Sequence, residues 1–164
     1  MTAAFLPYGR QSIDDSDVAE VVRVLRSDYL TTGPEIEAFE AELAQACGAR
    51  HAVVVANGTA ALHCAYAAAE LAAGHEVITT PLTFSATANM VVAMGATPVF
   101  ADVRDDTLCV DPDRVAAAIT PRTRAIAAVD YAGHPAEMDR LMGLAREHDL
   151  LVIEDAAHSI GGRY

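Results

Sequence analysis

Apolar positions recur along this chain with two different periods, and the change from one to the other divides it. Between residues 14 and 26, Val18, Val21, Val22 and Leu25 fall at one-, three- and four-residue intervals, the stripe of an amphipathic helix, with Ser12 and Asp14 as candidate caps. Gly33-Pro34 breaks the pattern, and residues 35–47 read as a second helix closed by Gly48. The first fifty residues therefore form a helical segment. From residue 51 onward, short apolar runs alternate with Ala-rich or amphipathic stretches. Strands are predicted at 52–56, 76–80, 97–101, 124–131 and 150–154, and helices at 58–73, 85–94, 112–119 and 136–148.

Strands separated by helices, with no hairpin signal, describe an α/β domain with a mainly parallel sheet and crossover helices. In such sheets all the strand carboxyl ends lie along one edge, where ligands bind. The 51–164 segment is thus expected to carry any site. The last predicted strand lies close to Tyr164, which leads us to expect a longer parent domain, because a sheet ending there has an uncovered edge.

Composition narrows the function classes. A hydrophobic fraction of 52% over 164 residues is enough for a globular core. A net charge of −12 leaves no basic face for a nucleic-acid backbone. No apolar stretch reaches the roughly 18 to 20 residues that span a bilayer, and the N-terminus lacks a signal-peptide pattern. Cys47, Cys64 and Cys109 are an odd set without metal spacing, expected as buried small residues of a reduced, cytoplasmic protein. All eleven basic residues are Arg, so the chain has no lysine amine.

Four segments at predicted strand ends carry candidate chemistry. Asn57-Gly58-Thr59-Ala60 turns from a strand into a helix, where free N–H groups and the helix dipole favour an anion; it also reads as an ordinary N-cap with Asn57 as the capping side chain. It is neither a GxxxxGK[ST] loop nor a GxGxxG turn, which speaks against a nucleoside-triphosphate or dinucleotide site. Phe84, in the loop after the next strand, reads either as a stacking surface for a planar ring or as a plug in the core beneath that loop. Asp155 ends an apolar strand, where it can pair with a protonated ring nitrogen, with a helix cap or a structural hydrogen bond as the alternative; Glu154, one residue earlier, faces the other way. His158 follows three residues on. The Gly133-His134-Pro135 turn sits at the same edge, where His134 reads as a turn residue before a catalytic one.

In their order along the chain, Leu30-Thr31-Thr32-Gly33-Pro34, Asn57-Gly58-Thr59-Ala60-Ala61-Leu62, Thr83-Phe84 and Ile153-Glu154-Asp155-Ala156-Ala157-His158 resemble the DegT/DnrJ/EryC1/StrS sugar aminotransferases. The resemblance implies the large domain of the aspartate-aminotransferase type of fold and the cofactor pyridoxal 5′-phosphate. It implies that Gly58, Thr59 and Ala60 hold the cofactor phosphate, that Phe84 covers one ring face, that Asp155 meets the pyridine nitrogen, that His158 approaches the phenolic oxygen, and that Thr32 reaches the substrate. It further implies a nucleotide-sugar substrate, an amino donor such as glutamate, and a homodimer when the chain is full length. Tyr131-Ala132-Gly133-His134-Pro135 and the segment 153–164 look most similar to enzymes that aminate a UDP-4-keto-6-deoxy-N-acetylhexosamine on the way to pseudaminic acid. Enzymes that aminate a UDP-4-keto-pentose for lipid A modification are the rival. Two departures stand out. Asp130 occupies a place where many relatives carry His, and the family's Schiff-base lysine falls downstream of the Glu154-Asp155 strand, with the small C-terminal domain. The chain is therefore expected to be an N-terminal part without a catalytic residue of its own, inactive alone. A non-catalytic binding protein or one half of a split enzyme is the alternative.

Overall fold

The computed structural model describes residues 10–164; the first nine, on which part of the signal-peptide reading rests, lie outside the described residues. The chain divides into two compact units, Met1–Val53 and Val54–Tyr164. The first unit holds α1 (Asp15–Leu25) and α2 (Pro34–Cys47). Asp14, not Ser12, caps α1: its carboxylate accepts from the Ser16 and Asp17 amides while the Asp17 carboxylate accepts from the Asp14 amide, a reciprocal box. Pro34 opens α2 where its missing N–H costs nothing, and Gly48 closes it in the left-handed region at φ 64°. Arg23 on α1 grips Glu35 on α2 with two parallel hydrogen bonds of 2.9 and 2.7 Å.

The second unit contains α3 (Gly58–Ala68), β1 (Glu76–Thr79), α4 (Ala86–Ala93), β2 (Thr97–Phe100), α5 (Pro112–Ala118), β3 (Thr123–Val129), α6 (Met138–His148) and β4 (Leu151–Asp155). The sheet order is β2-β1-β3-β4, and every pairing is parallel. Two hydrophobic clusters cover its faces. Leu62 and Tyr66 of α3 and Val91 of α4 pack with Val77, Ala125 and Ala127 on one side. Val115 of α5 and Leu141 and Ala145 of α6 pack with Ile78, Ile126 and Ala128 on the other. The central strands β1 and β3 are buried on both faces, as near-continuous apolar runs in a parallel sheet require. From β1 the chain first moves outward to β2, then crosses back to β3. The reversal puts a topological switch point at the carboxyl ends of β1 and β3, where such sheets leave a crevice.

The structure corrects four expectations. The run 52–56 is not a strand: its β-branched residues have the propensity, but a strand exists only as part of a ladder, and the sheet does not extend to it. Four strands are present, not five, among the described residues. The helix expected over 58–73 stops at Ala68. Leu71 N donates to Tyr66 O and Glu70 N to Ala67 O, a Schellman closure with Glu70 at φ 54° that turns Leu71 into the core beside Tyr66. Burial of Leu71 overrides the helix propensity of the Ala-rich run. A hairpin-like excursion also occurs: Val103 and Val110 form an antiparallel bridge between β2 and α5. Of the cysteines, only Cys109 is buried; Cys47 ends α2, a helix that buries no residue, and Cys64 lies off the Leu62–Tyr66 face of α3, so both are exposed.

Candidate functional site

Asn57 adopts an extended backbone and accepts a 2.9 Å hydrogen bond from the Ala60 amide through its side-chain oxygen, while its carbonyl takes the Ala61 amide. The capping reading of this turn is observed. Asn57 caps the helix, and the cap consumes the Ala60 N–H; the first two amides, of Gly58 and Thr59, have no acceptor within the helix and point out of its positive end. A Cβ built on Gly58 would meet nothing within 4 Å, so the space over this turn is open.

Phe84 follows β1 in the loop of residues 80–85 and is 73% exposed. The core-plug alternative is therefore excluded. A large aromatic held in water at a strand-end loop leaves its ring face available. The loop itself is anchored: Thr80 is fully buried and its hydroxyl accepts from the Leu82 amide at 3.1 Å, and the Phe84 carbonyl accepts from the Thr87 amide at 3.1 Å.

Asp155 closes β4 opposite Val129. Its Oδ2 accepts a 2.8 Å hydrogen bond from the hydroxyl of Thr87, in the first turn of α4. Among the described residues its Oδ1 has only a long contact, 3.4 Å, from the Ala157 amide. Thr87 in turn lies 2.9 Å from the Thr83 hydroxyl, and its carbonyl accepts from the Tyr66 hydroxyl at 2.9 Å. Tyr66 and Thr87 are completely buried. Burial, reinforced by the Asp155 charge, raises the Tyr66 phenol well above its ordinary pKa, so it stays a neutral donor. The sequence reading did not single out Thr87 or Tyr66. The only local signal for Thr87 is its place one turn after Thr83.

Glu154 points to the opposite face, as the strand alternation predicts, toward Asp130 at the end of β3. Partial desolvation, then the neighbouring Asp130 carboxyl, raises the pKa of Glu154, although the residue as a whole is exposed. Asp130 is 3% exposed, accepts from the Ala136 amide at 3.0 Å and from the Ser159 hydroxyl at 2.6 Å. It thereby ties the turn after β4 to the turn after β3. At that junction a Cβ on Gly133 would stand 3.0 Å from the His158 carbonyl oxygen, with Gly133 at φ 86°, a place built for glycine. His158 is exposed on this turn. His134 is also exposed, its ring nitrogen 2.9 Å from the Pro135 carbonyl, a local turn contact. Thr32 belongs to the first unit, exposed at φ 49°.

The structure thus brings Phe84, Asp155 and His158 to the carboxyl edge of one sheet, with Thr87 between the Phe84 loop and Asp155. Among the described residues, no group of three or more His, Cys, Asp or Glu is placed to hold a metal ion, and no helix is long and apolar enough to cross a membrane.

A spore coat polysaccharide biosynthesis protein of Bacillus subtilis, SpsC, is 46% identical over 160 residues, which are 98% of this chain and 41% of that protein. The crystal structure of DesV from S. venezuelae in complex with a ketimine intermediate superposes with a TM-score of 0.86 at 46% identity, over 90% of this chain and 40% of DesV. PseC of Helicobacter pylori, an aminotransferase involved in the biosynthesis of pseudoaminic acid, superposes with a TM-score of 0.90 at 36% identity, over 96% of this chain and 43% of PseC. The chain spans about two fifths of the length of these relatives. Residues 11–164 match one family throughout, and the chain belongs to the DegT/DnrJ/EryC1/StrS aminotransferases, enzymes that depend on pyridoxal phosphate.

Proposed function

We propose that this chain supplies the cofactor cradle of a sugar aminotransferase that moves an amine from glutamate to a nucleotide-linked 4-keto sugar. Asp155 is the observation that carries the reading. It is a strand-end carboxylate with one oxygen held by a buried hydroxyl and the other nearly unused. The residues fit a phosphorylated pyridine. The open amides of Gly58 and Thr59, with the Thr59 hydroxyl, would hold the phosphate at the start of α3, with Ala60 contributing through the helix dipole. Exposed Phe84 would cover one ring face, Asp155 would meet the ring nitrogen, and His158 the phenolic oxygen. When bound, the cofactor supplies an electron sink at the carbon that gains or loses the amine. Asp155 supports that chemistry by holding a proton at the ring nitrogen.

The kinship to PseC supports a UDP-4-keto-6-deoxy-N-acetylhexosamine, and the likeness to a spore-coat polysaccharide protein supports a cell-surface sugar in general. A UDP-4-keto-pentose is the rival within the class. Thr32 would touch the sugar. We place the reaction in the cytoplasm, where nucleotide sugars are made, and in a homodimer. Because the chain contains no lysine, its own residues offer no side-chain amine to bind the cofactor covalently or to shuttle the proton between the two carbons. That composition favours a second reading, in which the chain binds cofactor or nucleotide sugar without turnover, or works with a lysine-bearing polypeptide.

The test has two arms. Titrating the chain with pyridoxamine phosphate should show saturable binding that Asp155→Ala weakens about tenfold or more, in line with a lost charge-assisted hydrogen bond. Supplying glutamate, pyridoxal phosphate and the UDP-4-keto sugar to the chain alone should give no amino sugar. Binding indifferent to Asp155→Ala sinks the cradle, and turnover by the isolated chain sinks the claim that it lacks a catalyst.

A further inference from the structure

The three polar groups of Thr87 make four hydrogen bonds, which join it to the Phe84 loop, to α3 and to the end of β4. Its amide donates to the Phe84 carbonyl at 3.1 Å. Its carbonyl accepts from Tyr66 of α3 at 2.9 Å. Its hydroxyl hydrogen-bonds both Thr83 and Asp155, at 2.9 and 2.8 Å. A helical threonine ordinarily satisfies its hydroxyl on the carbonyl one turn back. Here the hydroxyl reaches instead across the sheet edge to a residue 68 positions away.

The direction of these bonds follows from proton counting. A hydroxyl has one proton to give, and an ionised carboxylate only accepts. Thr87 therefore donates to Asp155, so its oxygen accepts from Thr83, and Thr83 is the donor in that pair. The relay Thr83 to Thr87 to Asp155 runs one way. It commits Oδ2 of Asp155 to the protein and leaves Oδ1, with only the 3.4 Å contact to Ala157, to face a ligand.

We propose that Thr87 is the positioning residue of the site, aiming Asp155 and locking it to the loop that carries Phe84, so that the site selects a planar ring offering an N–H donor opposite Oδ1. The inference rests on Asp155 being the ring-nitrogen partner and adds to it a determinant of ligand choice. Because one hydroxyl holds both the carboxylate and the Phe84 loop, removing it disturbs the ring's edge contact and its face contact together. A threonine that merely filled the core would affect stability and leave ligand discrimination alone.

The test measures the affinity of the chain for two probes: pyridoxamine phosphate, and its analogue with carbon in place of the ring nitrogen. The unaltered chain should prefer the nitrogen compound about tenfold or more, the size of one charge-assisted hydrogen bond. Thr87→Val keeps the shape and removes the hydroxyl, and should reduce that preference to about two- or threefold. Thr87→Ser restores the hydroxyl and should recover it. Thermal melts of each variant report the structural contribution separately. Should Thr87→Val fail to fold, Thr87→Ala against Thr87→Ser gives the same contrast, and equal preferences in those two overturn the proposal. A preference kept in Thr87→Val but lost in Asp155→Ala overturns the role of Thr87 and leaves Asp155 in place. A preference kept in both, or absent from the unaltered chain, removes the Asp155 reading and this inference with it.

Discussion

Phe84 and Tyr66 show how two aromatic residues in the same neighbourhood have opposite jobs. Phe84 is 73% exposed and supports no core, so Phe84→Ala should leave the melting temperature nearly unchanged. The same change should weaken pyridoxamine phosphate binding about tenfold, since an aromatic face contact contributes on the order of 1 kcal/mol beyond its area. Tyr66 is fully buried with its hydroxyl on the Thr87 carbonyl. Tyr66→Phe leaves that carbonyl without its donor and should cost about 1–2 kcal/mol in denaturant unfolding. Residues whose role depends on local grammar were readable in the sequence: Asn57 as a cap, Asp155 as a strand end, Glu154 facing the other way. Thr87 and Asp130 were not read for their partners, Asp155 and Ser159, because those bonds join positions 68 and 29 residues apart and leave no periodic trace.

At the level of elements, the end of α3 and the end of β4 each carry a local strain or charge that a substitution can expose. Glu70 occupies the left-handed position of a Schellman closure at φ 54°, where glycine is favoured. Glu70→Gly should stabilise the chain by about 0.5 kcal/mol, read as a small rise in melting temperature. Glu154 keeps an exposed surface, yet partial desolvation of its carboxyl and the neighbouring Asp130 raise its folded-state pKa. An acid raised in this way is at a disadvantage once it ionises: its contribution to stability is complete below the unfolded value, about 4.3, and is lost as pH rises through the folded value. Glu154→Gln should therefore raise the melting temperature at neutral pH, with the gain vanishing below about pH 4. A gain that persists or grows at low pH would contradict the account. Element boundaries were legible where glycine or proline marks them, at Pro34, Gly48 and Gly95. They were illegible where tertiary contact decides, as at 52–56 and at the stop after Ala68.

For the whole molecule, the parallel α/β architecture was legible from the alternation of strands and helices, while the order β2-β1-β3-β4 was not, since sequence order carries no register. That order puts the switch point beside Phe84 and Asp130 and leaves Asp155 one strand further along. In the core beneath it Leu141 is fully buried in one cluster with Ile78 of β1 and Ile126 of β3, and Leu141→Ala should cost about 2–5 kcal/mol in denaturant unfolding. Under the proposed function, the capped start of α3, the exposed Phe84 and the Asp155 carboxylate together receive a phosphorylated ring. A crystal structure of the chain with pyridoxamine phosphate tests that most directly. The phosphate is expected on the Gly58 and Thr59 amides, the ring against Phe84, and its nitrogen about 3 Å from Asp155 Oδ1. A ring nitrogen turned away from Asp155, or a phosphate seated elsewhere than the start of α3, would contradict it.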